Sequence, residues 1–214
     1  MSPRSTDPVD EVLTAIQAIT ARAPGAAGRR RFQQYLDLFL RWNRTHRMTA
    51  LDSATAVVRE LFVDSLLLLA LLPSRRPLSV VDIGAGAGIP GLPLRLADPE
   101  ITLTLIDSRR KRISFLLAAS RELELGNVAV IEGRAEDLLE RQPALANAFD
   151  VVVARAVGPP NTLLQMAFKY LKPGGLFITS GPPNPTPQAS LEIVRVPVPG
   201  TRGSRTFLRA VKES

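Results

Sequence analysis

A chain of 214 residues with 45% hydrophobic side chains is long enough to bury a full core, as one medium domain or a domain with a small extension. It has no cysteine and one histidine, which excludes disulfides, cysteine nucleophiles and most zinc sites, and is compatible with a reducing cytoplasm. The formal charge of +7 is carried by the two ends while the centre is slightly acidic, a distribution suited to a polyanion held by the flanks or to ordinary solvated surface.

Residues 1–6 read as an irregular start, and the polar, acidic first dozen residues lack the pattern of a secretory leader. Asp7-Pro8 is a cap and first-turn pair, after which Val9, Val12, Leu13, Ile16 and Ile19 recur at helical spacing until Pro24-Gly25. A second helix is expected from Arg29 to His46, with Phe32, Tyr35, Leu36 and Phe39 on one face and Arg41 and Arg44 among its other positions, Arg47 following. A third helix, after Ser53, carries Val57, Val58, Phe62 and a leucine run. The apolar stretch Leu61 to Leu72 is interrupted by Asp64 and Ser65 and is too short to span a bilayer, so it reads as core and no membrane partner is expected. Pro73 to Pro77 forms a linker, which divides the chain into a helical N-terminal extension, 1–77, and a second unit, 78–214.

From Leu78 the pattern changes to strand–helix alternation, the signature of a parallel sheet covered on both faces. Strands are expected at 78–83, 101–106, 127–131, 149–153 and 175–180, helices at 89–97, 108–124 and 160–171, and a short turn of helix at 135–141. Lys172-Pro173-Gly174-Gly175 reads as a helix stop and a tight turn, Pro182 to Pro187 as a loop, and Leu191–Pro197 and Thr206–Val211 as an edge hairpin.

The first strand runs into Asp82-Ile83-Gly84-Ala85-Gly86-Ala87-Gly88-Ile89-Pro90-Gly91. Glycines at a strand–helix junction allow φ > 0 and let backbone approach a ligand, and Pro90 and Pro93 fall where helical N–H groups have no intrahelical partner. Two cofactors compete for the turn. Gly86-x-Gly88-x-x-Gly91 matches the dinucleotide fingerprint, but the glycine that directly follows the strand is Gly84. Counted from there the pattern is Asp-x-Gly-x-Gly-x-Gly, which resembles the first motif of class I S-adenosylmethionine-dependent methyltransferases. An acid at Asp82 suits a cofactor bearing an ammonium and a sulfonium better than a pyrophosphate.

Three further positions fit a nucleoside over that edge of the sheet. Asp107 ends the second strand, where an acid accepts bonds from ribose hydroxyls or caps the next helix. Ala135-Glu136 follows the third strand, where a small residue and an acid can flank an adenine, although Glu136 is equally an ordinary first-turn acid. Arg155 follows the buried fourth strand, where a cation is costly without a partner, and is the best candidate for a group near the transferred methyl. No general base stands out, and no metal site is expected.

Several motifs in order then carry a closer resemblance: Trp42-Asn43 with Met48-Thr49, Asp64-Ser65-Leu66, Asp82–Pro93, Leu105-Ile106-Asp107-Ser108 with Lys111-Arg112 and Phe115-Leu116, Gly133-Arg134-Ala135-Glu136, and Phe149-Asp150-Val151-Val152 with Ala154-Arg155-Ala156. From Tyr35 to Gly175 the chain resembles the RsmG (GidB) family of bacterial 16S ribosomal RNA guanine-N7 methyltransferases. The resemblance implies an α/β, Rossmann-like class I methyltransferase fold, S-adenosylmethionine as cofactor, and contacts to it from Gly84, Ile89, Ala135, Glu136 and Arg155. To these the motif reading adds Asp82, Gly86, Gly88 and Asp107. The resemblance further implies a cytoplasmic, monomeric enzyme whose partner is 16S ribosomal RNA or the small-subunit particle. Leu61 stands where the family usually has His, and Ser180-Gly181 where Lys-Gly is common. Two basic groups, Arg41, Arg44 and Arg47 on the second helix and Arg109, Lys111 and Arg112 at the start of the helix after Asp107, are the candidate RNA contacts. The alternatives are a methyltransferase acting on another substrate and an RNA-binding assembly factor that keeps the fold with little turnover.

Overall fold

The computed structural model describes residues 7–155, 158–187 and 190–213; the expected irregular start at 1–6 lies outside them. Seven strands form one sheet in the order β3-β2-β1-β4-β5-β7-β6. The strands are β1 (Leu78–Ile83), β2 (Ile101–Asp107), β3 (Val128–Glu132), β4 (Phe149–Ala154), β5 (Leu171–Ser180), β6 (Glu192–Pro197) and β7 (Ser204–Val211). The first five pair in parallel, and β7 and β6 close one edge as an antiparallel hairpin. Chain order reverses direction between β1 and β4, so the crevice at the carboxyl ends of those strands is where a ligand of such a sheet binds.

The helices separate to the two faces of the sheet. α1 (Pro8–Thr20) and α2 (Ala26–His46) share one apolar cluster with α5 (Gly91–Ala97), α6 (Arg110–Glu122) and the face of the sheet that bears Val80, Leu103 and Val151. Its aromatic centre is Phe32, Tyr35, Phe39, Phe62 and Phe115, with Tyr35 stacked on Phe62 at 4.7 Å between ring centroids. The N-terminal helices are therefore the covering layer of that face. The opposite face, Val81, Ile83 and Val152, packs against α7 (Ala135–Arg141) and α8 (Pro160–Tyr170).

Two elements differ from the sequence reading. The third helix is not one regular helix: α3 (Ala54–Val57) passes into a π-helical turn, Val58–Val63, then α4 (Asp64–Leu66) and a 3-10 turn, Leu67–Ala70. The wide turn presents the Glu60 carbonyl to Arg155, whose Nη2 donates to it at 2.8 Å. Lys172–Gly175 does not precede β5 but bulges from it, because Leu171 already pairs with Phe149 and Leu176 resumes opposite Val151. Lys212 secures the bulge, exchanging backbone bonds with Gly174 and Gly175 at 2.9 Å.

Candidate functional site

The carboxyl ends of β1, β2 and β4 and the start of α7 enclose a cavity of about 540 Å³, within the range that holds a small-molecule cofactor. Its floor is the glycine turn. Gly84 and Gly86 have φ of +71° and +58°, and the Gly84 and Ala85 amides hydrogen-bond to the Ile106 carbonyl, which anchors the turn to β2. The Gly86 N–H donates to Asp107 Oδ2 at 2.8 Å while Asp107 Oδ1 accepts from the Arg109 amide at 2.8 Å. Asp107 thus holds the turn and the approach to α6 together and still has acceptor lone pairs facing the cavity, since each carboxylate oxygen accepts more than one bond. It does not cap α6 as expected, because the helix begins only at Arg110 with Arg109 before it.

Beyond β3, Ala135 and Glu136 line the cavity, and the Ala135 carbonyl accepts from the buried Tyr170 hydroxyl at 2.6 Å. Burial, reinforced by Glu136, pushes that hydroxyl up to about 12, so it stays a donor at any physiological pH. Arg155 closes the β4 side. Its Nη2 donates to the Glu60 carbonyl and its Nη1 is ion-paired with Asp64 at 3.3 Å, although that buried Nη1 makes no hydrogen bond among the described residues; Asp64 in turn accepts from Arg205 Nε at 2.8 Å. Arg155 is therefore both ion-paired and in the cavity. Asp64 was legible as a charge interrupting an apolar run, yet its link to Arg155 spans elements far apart in the chain.

Of the residues expected at the cofactor, the cavity brings together Gly84, Gly86, Asp107, Ala135, Glu136 and Arg155. Asp82, Gly88 and Ile89 do not line it. A Cβ on Gly88 would meet the Leu92 side chain at 2.3 Å, and Ile89 is buried in the apolar cluster. Asp82 is fully buried with its Oδ2 accepting from the Gly91 amide at 2.8 Å, so it stitches the turn to α5 and does not present its charge to the cavity. Asp82, expected to face a cationic cofactor, is instead sealed from the cavity. Among the described residues its Oδ1 has no hydrogen-bond partner, and burial pushes the carboxyl up to about 7 against the lowering effect of the Gly91 amide.

This raised value has a definite sign. The folded protein holds the Asp82 proton more tightly than the unfolded chain, so the group's contribution to stability is complete below about pH 4 and is lost as pH rises to about 7. Asp82→Asn removes the titration. The stability difference between variant and wild type should therefore shift in favour of the variant by up to about 1.4 kcal/mol per pH unit across that window, and level off above it. Urea unfolding of both proteins at pH 4 to 8 measures this, and a pH-independent difference contradicts it.

The basic residues divide in a way the sequence did not show. Arg109 and Arg112 line the cavity, as does Arg134, which the sequence reading quoted only as part of a motif. Met166 of α8 also lines it, a position that carried no signal. Lys111 is exposed, Arg44 and Arg47 are exposed at the end of α2, and Arg41 pairs with Glu122 of α6 at 2.7 Å. Among the described residues no group of three or more His, Cys, Asp or Glu is placed to hold a metal, and no helix is long and apolar enough to cross a membrane.

The fold is shared with solved S-adenosylmethionine-dependent methyltransferases. One from Aquifex aeolicus superposes with a TM-score of 0.55 at 18% identity, covering 77% of this chain and 96% of that one. A predicted O-methyltransferase from Agrobacterium tumefaciens superposes at 0.53 with 22% identity, covering 69% of this chain and 80% of that one. In sequence, the ribosomal RNA small subunit methyltransferase G of Alkaliphilus oremlandii is 40% identical over 145 residues, 68% of this chain and 60% of the relative. That of Caldanaerobacter subterraneus is 40% identical over 149 residues, 69% of this chain and 61% of the relative. The chain thus matches about three fifths of the length of these relatives. The model of the GidB family, rRNA small subunit methyltransferase G, matches residues 29–180, and the chain belongs to that family.

Proposed function

We propose that this protein transfers a methyl group from S-adenosylmethionine to N7 of a guanine in 16S ribosomal RNA, acting as a cytoplasmic monomer on the RNA or on the small-subunit particle. Membership of the GidB family carries this reading, and the cavity fits the cofactor. Asp107 is the acceptor for ribose hydroxyls, Ala135 and Glu136 flank the adenine, and the glycine turn makes room for the methionyl arm. S-adenosylmethionine bound there supplies an electrophilic methyl on a sulfonium. Arg155, locked by Asp64 and the Glu60 carbonyl, is a fixed wall on the side where the acceptor enters. Guanine N7 carries a free lone pair and no proton, so the chain needs to supply positioning in a dry pocket rather than a general base. Comparing N7-methylguanine in ribosomal RNA from cells with and without the gene tests this reading: one guanine should lose its methyl, and an unchanged pattern sinks it.

The exposed Arg44 and Arg47 are the proposed phosphate contacts, together with Lys111. Replacing Arg44 and Arg47 with Ala should flatten the plot of log K against log salt for RNA binding by about 0.7 per lost single-strand contact. Cofactor affinity, read by calorimetry, should not change. An unaltered slope removes this end of α2 from the interface.

A further inference from the structure

The start of α6 places four cations where a helix dipole disfavours them, at Arg109, Arg110, Lys111 and Arg112. Arg112 differs from Arg110 and Lys111 in being turned inward: it is half-buried and lines the cavity. Its guanidinium stands over the glycine turn, with Nη1 only 2.6 Å from the point a Cβ on Gly86 would occupy. Its hydrogen bond from Nη2 to the Met48 carbonyl is long, at 3.5 Å, and among the described residues it has no carboxylate partner. Arg155, on the other side of the cavity, has in contrast a carboxylate partner in Asp64. Arg112 is thus a cation with unused, fork-shaped donors inside the cavity, a geometry matched to a carboxylate.

On the cofactor reading given above, the adenine lies against Ala135 and Glu136 and the methionyl arm over the glycine turn. The carboxylate of that arm, the ligand's one anionic group, then lies beside Arg112. We propose that Arg112 binds the α-carboxylate of the methionyl arm of S-adenosylmethionine, and so discriminates cofactors that carry this group from those that lack it. This assigns Arg112 to the cofactor and not to an RNA phosphate, in contrast to its outward-facing neighbour Lys111.

The test compares S-adenosylmethionine with its decarboxylated form, which keeps the nucleoside, sulfonium and amine. Titrated calorimetrically into the native protein, the decarboxylated form should bind about 10- to 100-fold more weakly, the range expected for a lost charge-assisted pair. In Arg112→Met the full cofactor should weaken by a similar factor while the decarboxylated form changes less than about twofold. Arg112→Lys, which keeps the charge and loses the fork, should fall between. Equal affinities of the two ligands for the native protein overturn the assignment, as does equal weakening of both in the variant. Loss of ribosomal-particle binding with unchanged cofactor affinity also overturns it, in favour of a phosphate contact. If the native protein binds neither ligand, the cofactor reading itself falls and this assignment with it; a failure confined to Arg112 leaves native binding intact.

Discussion

Gly86→Val should weaken cofactor binding by at least about 100-fold, or about 2.7 kcal/mol. Two effects combine. Gly86 sits at φ +58°, where a β-branched residue is strained, and its N–H is held by Asp107. Any side chain there also enters the space between the turn and the Arg112 guanidinium. Arg112 is flexible enough to swing aside from a single methyl, so Gly86→Ala should lose less than the valine variant, the strain remaining and the branch absent. Isothermal calorimetry with S-adenosylhomocysteine measures both. Native affinity in the valine variant would show that the cofactor does not lie on this turn.

The largest loss of stability from a polar residue should come from Asp150→Ala. This carboxylate is 4% exposed and joins β1 to β4 where their backbone ladder has not yet begun. Oδ2 accepts from the Ser79 amide and hydroxyl at 2.8 and 2.7 Å, and Oδ1 from Lys172 Nζ and Arg75 Nη2, both at 2.9 Å. Alanine leaves the Ser79 amide without its partner, whereas the more exposed Lys172 and Arg75 recover water and contribute little. A loss of about 2–4 kcal/mol is expected, and each kcal/mol lowers Tm by about 2–4 °C in a domain of this size. Burial alone would raise the Asp150 carboxyl, but the Ser79, Lys172 and Arg75 bonds outweigh it and hold it well below the usual carboxylate range. Its contribution is therefore constant above about pH 4 and disappears as pH falls further, so wild type and variant should converge in acid. A loss below about 1 kcal/mol in urea unfolding at pH 7 contradicts this account.

Much of the architecture is written locally. The five parallel strands are apolar runs bounded by turn residues, and α1 and α2 show their buried faces through helical spacing, so the alternation alone specified the covered parallel sheet. The side of the sheet that a residue faces is written less plainly. Asp82 shares the period-two face of Val80, and that face is sealed by α1, α2 and α5. Only knowledge of where those helices pack turns the acid from a cofactor contact into a buried stitch. Arg109 precedes α6 and Arg112 lies in its first turn, so helical spacing does not pair them, and that both reach the cavity while Lys111 does not depends on how the start of α6 seats beside β2. Asp150 and Ser79, or Arg155 and Asp64, meet only through the parallel register and the π-helical turn, neither of which leaves a trace in sequence spacing.

The most direct test of the central claim is a methyl-transfer assay with purified protein, tritiated S-adenosylmethionine, and small-subunit particles or naked 16S ribosomal RNA lacking the modification. The label should enter one guanine, and borohydride reduction followed by aniline should cleave the RNA at that guanine, as N7 methylation requires. Label that resists this cleavage, or cofactor binding without transfer to either substrate, would contradict the proposed reaction.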